Sequence, residues 1–127
     1  MPKEIINPPD VVPARGYSHA IKCGNTVYVA GQVAWDVEGK LVGKGDFEVQ
    51  SRMALENLKR VLAAAGAQMT DVVQMNYYIR NLEDYPKIRN PYREYFGKYF
   101  PCQTLTVISS LADPDLLIEI QAVAVID

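Results

Sequence analysis

The chain is poor in the residues from which metal centres, disulfide scaffolds and catalytic triads are built. It has two cysteines, Cys23 and Cys102, and a single histidine, His19, among 127 residues. Two cysteines so far apart make neither a disulfide framework nor a zinc-type cluster. A lone histidine with no second His, Cys or Glu at ligand spacing supports neither a metal site nor triad chemistry, because both need a constellation. Phosphate-binding loops, dinucleotide fingerprints and Gly-x-Ser-x-Gly elbows do not occur either. No metal is expected.

An excess of charge of one sign is also lacking. With a formal net charge of −2, the surface offers no broad basic field for phosphates, so nucleic acid is not an expected partner. No segment approaches the roughly 20 apolar residues that span a bilayer. Residues 1–7, Met-Pro-Lys-Glu-Ile-Ile-Asn, lack the apolar core of a signal peptide. These absences point to a reduced, cytoplasmic setting with no membrane partner.

What is present is enough apolar material for a proper core: 49% of the residues are hydrophobic, and the length suits one compact domain over residues 1–127. Pro8, Pro9 and Pro13 predict an extended approach over residues 7–15. Strands are expected at 17–22 and 26–30 around a Gly24-Asn25 turn. The Gly-rich stretch 36–45 reads as loop, with at most a short strand at Leu41-Val42. Asp46 is a natural N-cap for a helix in which Ala54, Leu58, Val61, Leu62 and Ala65 recur at helical spacing, and Gly66 suits its C′ position. In residues 73–80, Val73, Met75, Tyr77 and Ile79 alternate with polar neighbours, as in a strand. After a turn at 83–88, Pro91 predicts a second helix to about Lys98 with Asn90 as its N-cap. Two further strands, 104–109 and 116–126, flank an Asp113-Pro114-Asp115 turn.

The expected fold class is α+β, in the order β-β-α-β-α-β-β, with a mixed sheet packed by two helices. In the last strand Ile118, Ile120, Ala122, Ala124 and Ile126 point one way, and Leu117, Glu119, Gln121, Val123 and Val125 the other. Two apolar-rich faces with helix enough for one leave surface that another subunit is expected to cover.

Glu119 is the most informative single residue, since it interrupts an apolar strand. Burying it unpaired would cost several kcal/mol or raise its pKa. It is either a hydrogen-bonded carboxylate at an interface or a general acid/base facing a pocket. Tyr17, on His19's side of its strand, reads on pattern alone as packing with a bonded hydroxyl. Cys102 has no local base and reads as a small, partly buried residue rather than a nucleophile. Trp35 reads as a packing residue that could help line a pocket.

Three segments, 16–20 (Gly-Tyr-Ser-His-Ala), 24–32 (Gly-Asn-Thr-Val-Tyr-Val-Ala-Gly-Gln) and 118–125 (Ile-Glu-Ile-Gln-Ala-Val-Ala-Val), together with the helix from Gln50 to Gly66, resemble the Rid/YjgF (reactive-intermediate deaminase) family. The similarity runs in order over nearly the whole chain. It implies a chorismate-mutase-like fold and a barrel-like homotrimer with clefts between subunits. It also implies hydrolysis of enamines or imines to carbonyl compounds and ammonia, without a cofactor. By the same resemblance Glu119 activates water and Tyr17 bonds or covers the substrate. Gly31 contributes backbone and Asn90 lines the pocket. Gln103, with its neighbour Cys102, occupies the substrate-binding segment 101–104. There the family's deaminases carry an arginine that clamps the substrate carboxylate. A neutral amide cannot reproduce that bidentate, charged contact. The loss is about 1.5–3 kcal/mol, on the order of tenfold to a hundredfold. Its absence also removes a cation that would keep Glu119 ionised. The implied substrate is therefore an imine or enamine other than the usual anionic 2-imino acids. The alternative is a non-catalytic trimer of the same fold that binds a small molecule or a protein.

Overall fold

The computed structural model describes residues 2–127. The longest helix, α1 (Phe47–Ala64), starts where its cap dictates: Asp46 accepts a hydrogen bond from the Val49 amide at 3.1 Å. It ends in a Schellman closure, with Gly66 at φ +82 and the amides of Gly66 and Ala67 donating to Ala63 and Leu62. Between these stops Ala54, Leu55, Leu58, Val61 and Leu62 form its buried stripe.

One mixed sheet has the order β1-β2-β3-β6-β4-β5. Its strands are β1 (Lys3–Ile6), β2 (Ala20–Cys23), β3 (Thr26–Gln32), β4 (Val72–Ile79), β5 (Cys102–Val107) and β6 (Ile118–Val125). Only the β4–β5 pair is parallel. Such a pair needs a crossover, which is supplied by a 3-10 run over Leu82–Ile88 and helix α2 (Arg89–Phe96). Both helices pack on one side, where Val27, Val29, Met75, Ile79, Ile118 and Ile120 meet α1 in the core. This is the α+β architecture the sequence predicts.

Several boundaries differ for physical reasons. Strand β1 was not expected: it is a short edge strand, mostly exposed, whose pairing with β2 rather than any apolar alternation makes it a strand. Strand β2 begins at Ala20, not Tyr17, because Gly16 at φ +79 turns the chain and the His19 amide donates to Asn7 at 2.8 Å. In β4 a register irregularity between Val72 and Gln74 buries Val72 and leaves Val73 outside. Leu41 forms an isolated bridge with Trp35. Helix α2 begins at Arg89, so Asn90 is not its cap; the N-cap is Ile88, with no side-chain bond. Pro91 is tolerated as the third helical residue because first-turn amides have no intrahelical acceptor.

Gln50, fully buried on α1, donates to the carbonyls of Gly43 and Asp115 at 3.1 and 3.0 Å and accepts from the Leu117 amide at 2.9 Å. It thereby fixes the run into β6. The sheet's other face, with Tyr28, Tyr78, Gln121 and Val125, is uncovered within the chain, and Tyr28 is 55% exposed. Among the described residues no helix is long and apolar enough to cross a membrane.

Candidate active site

Alternation along β6 turns Ile118, Ile120, Ala122 and Ala124 into the core and puts Glu119 on the opposite face, half-buried. Its carboxylate lies against Gly31 in β3, where the β3–β6 register shifts between Val29 and Gln32. A Cβ at Gly31 would come within 2.6 Å of the Glu119 Cδ and 2.7 Å of Oε2. Gly31 does not have a left-handed φ, so the missing side chain, not backbone freedom, is what the position requires. No cation pairs with Glu119 among the described residues. Burial pushes its carboxyl above the ordinary carboxylate range.

A cavity of about 370 Å³ opens where β3 leaves the sheet, and Glu119, Gly31, Tyr17, His19, Trp35 and Asn57 line it. Tyr17 is 45% exposed. Burial, and secondarily the negative charge of Glu119, raise its phenol pKa. Its ring meets His19 edge-on, with centroids 5.4 Å apart. His19 is a satisfied core residue. Nε2 lies 2.6 Å from the Val12 carbonyl, which can only accept, so Nε2 carries the proton and Nδ1 accepts from Gln32 at 3.1 Å. Among the described residues no cluster of His, Cys, Asp and Glu is suited to hold a metal ion. Asn57 donates to the carbonyls of Val33 and Trp35, both at 2.9 Å. Its own oxygen is buried without a partner.

Gln103 belongs to a second cavity. It pairs in register with buried Met75, so its side chain points to the helix side of the sheet, away from Glu119. There it donates to the Tyr92 hydroxyl at 3.3 Å. Tyr92 in turn donates to the Tyr99 carbonyl and stacks on Phe100, with centroids 5.6 Å apart. This cavity, of about 420 Å³, is walled by Gln103, Tyr77, Tyr92, Phe100, Arg89 and Arg93.

Within one chain, then, Glu119, Tyr17 and Gly31 come together, while Gln103 lies elsewhere. Asn90 is exposed on α2 and Cys102 is exposed on β5; neither lines either cavity. Asn57, Gln32 and Tyr77 are site residues that the local sequence pattern does not mark as such. For Asn57 a signal existed: it is a polar side chain on the buried stripe of α1, between Ala54 and Leu58.

The Endoribonuclease L-PSP family model matches residues 8–126. The chain is 35% identical over 127 residues to a 2-iminobutanoate/2-iminopropanoate deaminase of Dermatophagoides farinae, covering 99% of this chain and 98% of that one. It is 39% identical over 128 aligned positions to the 3-aminoacrylate deaminase RutC of Acinetobacter baylyi, with 98% of each chain covered. A solved Rid-family protein of unknown function from Yersinia pestis superposes with a TM-score of 0.92 at 30% identity, covering 98% of this chain and all of the other. Family model, relatives and fold agree, and the chain belongs to the Rid/YjgF (Endoribonuclease L-PSP) family.

Proposed function

We propose that the protein is a cofactor-independent imine/enamine deaminase acting in clefts between subunits of a homotrimer. The observation that carries this reading is a half-buried carboxylate, Glu119, without a pairing cation, held over Gly31 in a cavity beside Tyr17. An imine carbon becomes electrophilic when its nitrogen is protonated, and an enamine reaches the same state by gaining a proton on carbon. A carboxylate of raised pKa suits both proton transfers. Ionised Glu119 takes a proton from water as the oxygen bonds to the iminium carbon. The protonated acid then returns that proton to nitrogen, the C–N bond breaks as the hydroxyl proton passes to the Glu119 carboxylate, and a carbonyl compound and ammonia leave. Tyr17 covers the substrate, and the Gly31 backbone orients it.

The assembly has its own support. Glu119 and Gln103 lie on opposite faces of one sheet, so a single chain does not offer both to one substrate. The reading therefore requires that a neighbouring subunit present its Gln103 to the cleft that holds Glu119. Because Gln103 is neutral and one of its two amide N–H groups goes to Tyr92, short 2-imino acids lose the bidentate, charged clamp of an arginine. The test follows ammonia release from in-situ 2-aminoacrylate and from uncharged imines. Turnover of neither removes the reading.

A second reading, a trimer that binds a metabolite without turning it over, is favoured by Gln103. A ligand retained through purification and unchanged on prolonged incubation separates it from catalysis. RNA cleavage, which the family description suggests, is the least supported. The chain has one histidine, both of whose ring nitrogens are engaged, and a net charge of −2.

A further inference from the structure

We infer that Arg89, Arg93 and Tyr77 form a carboxylate-binding subsite in the Gln103 cavity. The protein would thus act on imines or enamines whose acid group is not attached to the reacting carbon. This rests on the deaminase reading above for the identity of the ligand, though not for the existence of the subsite.

Arg89 and Arg93 are one helical turn apart on α2 and line the same cavity. Both side chains are exposed, and neither guanidinium has a carboxylate partner among the described residues. No acidic side chain lines the cavity. Tyr77 supplies an independent sign of a missing ligand. It is only 4% exposed, it lines the same cavity, and its hydroxyl is buried with no hydrogen-bond partner. An orphaned buried hydroxyl is uncommon in native proteins. Two unpaired guanidiniums and an unsatisfied O–H are all donors, and a carboxylate accepts from several such donors at once.

Gln103 fits the same division of labour. The single Tyr92 proton goes to the Tyr99 carbonyl, so the group facing Tyr92 must be a donor, and the Gln103 amide nitrogen takes that place. The amide oxygen is left to accept from a neutral or N–H part of the ligand. The positive charge thus lies on the α2 wall of the cavity rather than on the β5 wall. A substrate carboxylate placed there is displaced from the position that an arginine at 103 would hold.

The test uses a non-reacting probe, 4-oxopentanoate, against its methyl ester, titrated calorimetrically into the intact protein. Wild type is expected to prefer the acid by about tenfold to a hundredfold. The double variant Arg89→Gln/Arg93→Gln should abolish that preference, and Tyr77→Phe should reduce it. Equal binding of acid and ester by wild type, no binding of either, or a preference that survives the double variant overturns the proposal. Where the double variant changes oligomeric state or helicity, the single Arg variants and Tyr77→Phe carry the test. An acid preference in a protein that hydrolyses no imine sustains the subsite and sinks the deaminase reading. Hydrolysis without acid preference does the reverse.

Discussion

The Glu119 carboxylate occupies the space that a side chain at Gly31 would fill, with Cδ 2.6 Å from the position of a Cβ there. The two residues face each other across the β3–β6 pair where its register shifts. Gly31→Ala is therefore a specific perturbation: the backbone conformation accepts alanine, but the carboxylate must move. Turnover should fall by about a hundredfold, the scale of a misplacement near 1 Å. Thermal stability should change little by comparison. Steady-state kinetics and a melting curve on the same preparation check this.

The raised Glu119 pKa fixes the sign of two pH effects. As a base Glu119 must be ionised, so the acid limb of kcat/KM should lie above the ordinary carboxylate value of 4.5. For stability, folding holds the proton more tightly than the unfolded chain does. The stability linked to this group is therefore full below 4.5 and is lost as pH rises through the higher folded value. Glu119→Gln, uncharged throughout, should melt above wild type at neutral pH, and the gap should close on acidification. Melting curves across that window decide it.

A trimer predicts a mass of three times 14.2 kDa by light scattering. Tyr28→Glu, on the uncovered face, should lower that mass and abolish turnover together. Mixing inactive Glu119→Gln chains with chains inactivated in the Gln103 cavity should restore part of the activity, since some clefts then combine two intact halves. A monomeric wild type contradicts the shared cleft.

Gln103→Arg should raise kcat/KM for short 2-imino acids by about tenfold to a hundredfold, the scale of one charged hydrogen bond. Uncharged imines should be indifferent to it. Parallel assays with the two substrate types supply the check.

Much of this was legible in the sequence because the signals were local. Asp46 and Gly66 bound α1 on their own chemistry, and strict alternation in β6 separates Glu119 from Ile118 and Ile120. What was not legible depends on partners distant in sequence. The strand character of Lys3–Ile6 comes from β2, and the outward turn of Val73 comes from an irregularity against β6. Asn90 reads as a cap until the 3-10 run ahead of it is seen to flow into α2. For the site, the Glu119–Gly31 contact depends on a register shift that no spacing rule reveals. The unpartnered Tyr77 hydroxyl depends on which groups fail to reach it.

Ammonia release from an enamine or uncharged imine, compared between wild type and Glu119→Gln, tests the central assignment most directly. Wild type should exceed buffer, and the variant should lose about a hundredfold or more while remaining folded and oligomeric. Equal rates in the two proteins, or a wild type no faster than buffer, would contradict a catalytic carboxylate at Glu119.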